Sequence, residues 1–107
     1  LDVAKTKKKP VFIDFTGYTC TNCRWMETNV FEEPKVQKLF NEFVMLRLYT
    51  DGGENYRENQ KMEISRFGTA ALPFYVVLTP NDEEISRFPG MDSDVNKFID
   101  FLEKSLY

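Results

Sequence analysis

The chain has 107 residues, 42% of them apolar, with ten Phe and five Tyr, no His and a formal net charge of −3. That length suits one domain and buries roughly two-thirds of the unfolded chain's surface, enough for an independent, aromatic-rich core. The acidic balance offers nucleic acid no basic patch, and no apolar run approaches the ~20 residues of a membrane-spanning helix.

Residues 1–9 read as the last turns of a truncated helix. Their basic run, Lys5 to Lys9, suits a solvated segment or, alternatively, a membrane-proximal linker. With no initiating Met and no signal peptide, the chain reads as a piece of something longer. Val11-Phe12-Ile13-Asp14-Phe15 is a short, nearly all-apolar strand suited to a central position. Gly17-Tyr18-Thr19 then turns into Cys20-Thr21-Asn22-Cys23, and a helical stretch runs from Arg24 to Phe31 with Cys23, Met26 and Val30 on one face. Glu32-Glu33-Pro34 interrupts it. Pro34 suits the first turn of a second helical segment, with Val36, Leu39 and Phe40 as its apolar positions.

Phe43 to Tyr49 is a second strand, apolar except for Arg47, and the connection to it implies parallel pairing with the first. Asp51-Gly52-Gly53 ends that strand. A polar helix follows from Glu54 to about Arg66, with Gly68 as its stop. Phe74 to Thr79 is a third strand, Pro80-Asn81-Asp82-Glu83 a turn, and Ile85 to Phe88 a fourth strand that closes a hairpin and breaks at Gly90. Asp92 or Ser93 caps a last helix with Val95, Phe98, Ile99, Leu102 and Leu106 on one stripe. The order β-α-β-α-β-β-α predicts an α/β domain over 1–107, with a mixed four-stranded sheet covered by helices on both faces.

Cys20 and Cys23 are the chain's only cysteines. Their spacing at a strand-to-helix junction favours a redox-active dithiol. A structural disulfide closing so short a loop adds little stability for its strain. Zinc needs four ligands, and the chain has neither a His nor a third Cys. Covalent haem is excluded because Arg24 stands where C-x-x-C-H requires His. No metal or other cofactor is expected. Cys20 should be the nucleophile, since it lies nearer the helix start, where free N–H groups and the helix dipole stabilise a thiolate. Cys23, on the inner face, should resolve the mixed disulfide.

Two carboxylates bear on that thiolate. Asp14, inside Phe-Ile-Asp-Phe, reads as buried or, alternatively, as an ordinary strand-end carboxylate, and Glu27 falls four residues after Cys23 and seven after Cys20, on their face of the helix. Glu27 reads equally well as a solvated helix residue, and Arg47 either pairs with Asp14 across adjacent strands or stands exposed. Neither Thr21 nor Asn22 supplies a positive charge. Negative charge raises a thiol pKa, so the nucleophile is expected at or above about 8.5, as suits a reductant.

This element order, with C-x-x-C after the first strand, resembles the thioredoxin fold. Asp14 lies six residues before Cys20, Pro73 opens the third strand and Gly90 ends the fourth, as in that family. The resemblance covers the chain except for the family's first strand, which is missing, and most of its first helix. Lys9-Pro10-Val11, Asp14, Cys20-Thr21-Asn22-Cys23, the run Val30 to Lys38, and Leu72-Pro73 more specifically resemble the C-terminal periplasmic domain of the DsbD family of thiol:disulfide interchange proteins. The chain departs from that pattern in a longer segment between Thr50 and Pro73 and in Trp25, where a polar residue is expected.

By sequence alone Pro73 reads as an ordinary trans proline at the start of an edge strand; the resemblance implies instead a cis Leu72-Pro73 bond within reach of Cys20. It leaves the backbone of Leu72 free to pair with an extended partner peptide, with Tyr18, Thr19, Trp25 and Leu72 as an apolar rim. Each of these four also reads as a packing residue. The implied activity is electron transfer to protein disulfides in the periplasm, as in cytochrome c biogenesis, by a domain tethered to the inner membrane. The implied partners are protein thiols and disulfides, in other domains of the same membrane protein. A free-standing thioredoxin-like reductase and a thioredoxin-fold binding or chaperone module with an incidental dithiol are the alternatives.

Overall fold

Alternation along the first strand sorts the core into two halves. In a computed structural model, which describes residues 8–106, the elements are β1 (Val11–Thr16), α1 (Thr21–Asn29), α2 (Pro34–Phe40), β2 (Val44–Tyr49), α3 (Tyr56–Phe67), β3 (Phe74–Leu78), β4 (Glu84–Pro89) and α4 (Val95–Lys104). Residues 1–7 of the expected N-terminal helical turns lie outside the described residues. The sheet order is β2-β1-β3-β4, with β1 parallel to β2 and antiparallel to β3, and β3 antiparallel to β4. It is the expected mixed four-stranded sheet.

All six residues of β1 are buried because helices cover both faces of this strand. Phe12 points into a cluster with Met26, Val30, Val36, Phe98 and Leu102, contributed by α1, α2, α4 and the turn after α1. Its ring lies within 6.5 Å of six other aromatic rings, centroid to centroid. Val11, Ile13 and Phe15 point the other way, to Phe67 of α3 and to Phe74, Val76 and Leu78 of β3. Asp14 and Thr16 therefore share the α1 side of the sheet with Phe12, by the two-residue period of a strand.

Several boundaries differ from the sequence reading for identifiable reasons. The first helix begins at Thr21, because Cys20 itself serves as its N-cap. The second helical segment is, as expected, a separate helix, α2, with Pro34 in its first turn, so two helices stand between β1 and β2 where the element order counted one. Asp94 caps α4 by accepting the Asn96 N–H at 2.9 Å, in place of Asp92 or Ser93. The Asp92 carboxylate instead accepts the Asp94 N–H at 2.8 Å, folding the approach to the helix. β2 is apolar in sequence but is an edge strand, with Met45 and Leu46 exposed.

α3 starts after Asn55, which is left-handed at φ 62°, and stops at Gly68, also left-handed at φ 75°. Its most unusual residue is Glu63, fully buried with no hydrogen-bond partner for either carboxylate oxygen among the described residues. Burial pushes its pKa up from 4.5 to about 7.

Candidate redox site

Strand directions gather the site at one edge of the sheet. Thr16 at the end of β1 is in register with Tyr49 at the end of β2, and Phe15 pairs with Phe74 at the start of β3. The loops after β1 and β2 and the loop before β3 therefore emerge together. They carry Cys20, Asp51 and Leu72-Pro73 respectively.

Cys20 and Cys23 form a disulfide. Cys20 is extended at φ −81°, ψ 103°, and its Sγ accepts the backbone N–H of Cys23 at 3.1 Å. Its carbonyl accepts the Arg24 N–H, the first bond of the helix. The sulfur thus occupies the place of an N-cap oxygen, receiving one of the donors that a helix start leaves free. Cys20 is partly exposed, whereas Cys23 is 1% exposed. The more exposed cysteine and the buried one are those expected from helix position.

Asp14 is 3% exposed, and its Oδ2 lies 3.6 Å from Nε of Arg47 across the β1–β2 register. Its Oδ1 has no hydrogen-bond partner among the described residues. Burial pushes the Asp14 pKa from 3.8 to about 7; Arg47 opposes that rise and the charge of Glu27 adds to it. Glu27, half-buried, is paired with Arg24 at 3.0 Å. Asp14, Glu27 and Arg47 line one open groove of about 630 Å3 between α1, α2 and β2. The two carboxylates expected from sequence are together, but each has a guanidinium beside it.

The Leu72-Pro73 bond is cis, as expected. Pro73 is buried, and its carbonyl accepts the Gly90 N–H at 2.8 Å, which ties in the glycine singled out after β4. The Leu72 side chain lies against Gly17: a Cβ there would stand 3.1 Å from Leu72 Cδ1. Tyr18 is 57% exposed and stacks on Tyr49, with ring centroids 4.0 Å apart. Thr19 is exposed, and Trp25 packs against the Phe12 cluster.

Two residues escape the sequence reading. Arg24 donates from Nη2 to Thr16 Oγ1 at 2.9 Å and to the Gly17 carbonyl at 3.1 Å, lashing the helix to the end of β1. Asp51 accepts the N–H groups of Tyr18 and Thr19 and the Thr19 hydroxyl. The signal for Asp51 is the parallel pairing itself, since a residue just past β2 must neighbour the residues just past β1.

The sequence model of the Thioredoxin-like family matches residues 1–80 of the chain. The thiol:disulfide interchange protein DsbD of Campylobacter jejuni is 22% identical over 71 residues, covering 66% of this chain and 12% of that protein. The chain thus spans a small part of the curated relatives it matches. A thioredoxin from Thermus thermophilus superposes with a TM-score of 0.79 at 24% identity, covering 96% of this chain and 78% of that one. The reduced C-terminal domain of DsbD from Neisseria meningitidis superposes with a TM-score of 0.73 at 20% identity, covering 97% and 88%. At these identities the superpositions establish a common fold.

Proposed function

The chain belongs to the thioredoxin-like family, and from that premise we propose that it is a thiol:disulfide oxidoreductase that reduces protein disulfides through Cys20 and Cys23. The observation that carries the proposal is the unequal setting of the two sulfurs. One caps a helix and reaches solvent, and the other is buried one turn further in. In the reduced domain the Cys20 thiolate attacks one sulfur of a partner disulfide. A mixed disulfide forms and one partner thiolate leaves. The Cys23 thiolate then attacks Cys20 Sγ, closing the intramolecular disulfide and releasing the second partner thiolate. Two electrons pass to the partner, and its two thiolates take up the protons that the dithiol lost.

Asp14 and Glu27 serve as thiolate control, keeping the free dithiol a restrained nucleophile until a partner docks. Tyr18, Thr19, Leu72 and Pro73 form the docking rim around Cys20. The exposure of Tyr18 and the packing of Leu72 on Gly17 support that role. By similarity to DsbD, the domain works in the periplasm, tethered to the inner membrane as part of a longer protein, and exchanges electrons with that protein's other domains. Cys23→Ser should trap a mixed disulfide with a partner protein, while Cys20→Ser should not. Mass spectrometry that finds the partner attached to Cys23 alone in wild-type traps would reverse the assignment.

A further inference from the structure

The backbone from Gly17 to Cys20 is a closed turn, with the Cys20 N–H donating to the Gly17 carbonyl at 3.2 Å. The two residues between them, Tyr18 and Thr19, are exposed, and their N–H groups take no part in that closing bond. Both are received by one carboxylate. Asp51 accepts the Tyr18 N–H on Oδ1 at 2.8 Å and the Thr19 N–H on Oδ2 at 3.2 Å, and the Thr19 hydroxyl donates to Oδ2 at 3.0 Å. Three donors on one ionised acceptor make a strong, directional clamp.

The clamp is anchored in the sheet. Thr50, immediately before Asp51, donates its N–H to the Thr16 carbonyl at 3.0 Å, extending the β1–β2 pairing by one bond. The turn is also shaped to receive it. A Cβ on Gly17 would stand 2.8 Å from Asp51 Oδ2, so a side chain there would push the carboxylate away. Gly53, at φ +81°, would place a Cβ 2.9 Å from the Tyr18 hydroxyl, so its lack of a side chain leaves room for the ring stacked on Tyr49. The N–H groups of Tyr18 and then Thr19 hold the Asp51 pKa below the ordinary carboxylate range.

We propose that Asp51 is a positioning residue for the dithiol, holding the Gly17–Cys20 turn so that Cys20 Sγ stays in the N-cap position of α1. The inference rests on Cys20 being the nucleophile, as proposed above. Asp51 acts in two opposite ways. As an anion near the site it disfavours the thiolate. As a clamp it keeps the sulfur on the Cys23 N–H, which favours the thiolate. The geometry points to the clamp as the larger effect, because the charge is already shared among three donors and is open to solvent.

The test measures the pH dependence of iodoacetamide alkylation of the reduced domain, with mass spectrometry locating the modified cysteine. Wild type, Asp51→Asn, Asp51→Ala and Thr19→Val are compared, with circular dichroism as the check on folding. Asp51→Ala should raise the Cys20 pKa by about one pH unit and slow alkylation at pH 7 about tenfold. Asp51→Asn keeps one acceptor oxygen and should fall between Ala and wild type. Thr19→Val removes one of the three donors and should give a smaller change of the same sign, so the proposal stays testable if Asp51→Ala fails to fold. A Cys20 pKa that is unchanged or lowered in the Asp51 variants overturns the proposal. Alkylation of Cys23 before Cys20 in wild type overturns the nucleophile assignment instead.

Discussion

With its pKa pushed up to about 7, Asp14 is divided between charged and neutral forms near neutral pH. Under the proposed thiolate control, its negative charge grows as pH rises through 7 and fades below it, and its restraint on the dithiol follows. Glu27 adds charge from the helix, and Arg24 and Arg47 partly offset the pair. Asp14→Asn combined with Glu27→Gln should lower the Cys20 pKa and speed iodoacetamide alkylation at pH 7. A Cys20 pKa lower by one should give up to about tenfold faster alkylation. A wild-type pKa near 7 or below, or a double variant that reacts like wild type, would mean that the helix start outweighs the carboxylates. Residues whose chemistry is local are legible in the sequence. The two cysteines announce themselves by spacing, and Asp14 by its apolar neighbours. Arg47 has two readings from sequence, because whether it meets Asp14 depends on strand register. Arg24 and Asp51 escape sequence reasoning because their work lies in contacts with a turn, and nothing in their own sequence surroundings names those contacts.

Among the elements, α3 carries the clearest conflict between burial and charge. Glu63 has no hydrogen-bond partner among the described residues and a folded-state pKa of about 7 against 4.5 when free. Between those two values the folded domain holds a proton that the unfolded chain has released, so stability falls as pH rises from about 4.5 to about 7. Asp14, raised from 3.8 to about 7, gives a slope of the same sign. Glu63→Gln should therefore stabilise the domain at pH 8 by about 1–3 kcal/mol, change little near pH 4.5, and leave the shallower slope due to Asp14. Urea unfolding at the two pH values checks this, and an equal change in stability at both would remove the titration as its cause. The composition of α3 conceals all this, because a polar helix with weak periodicity does not show which carboxylate faces inward. β2 illustrates the same limit from the other side. Its apolar residues resemble those of β1, yet one strand is central and the other an edge, a difference set by topology.

At the scale of the whole molecule, the fold is legible because apolar runs, Pro34, Gly68 and the hairpin turn each act locally and agree with one another. The mixed sheet then does the assembling. Parallel β1–β2 and antiparallel β1–β3 bring three loops to one edge, so a 107-residue chain presents its dithiol, the Asp51 clamp and the Leu72-Pro73 segment together. Reversible exchange of two electrons at Cys20 and Cys23 is the property that the proposed function requires of this arrangement. Equilibrating the domain in a graded series of dithiothreitol redox buffers and counting free thiols measures it directly. The expected result is one reversible two-electron transition with a midpoint between about −200 and −300 mV. A pair that shows no reversible transition in that window would contradict it and leave the dithiol incidental to the fold.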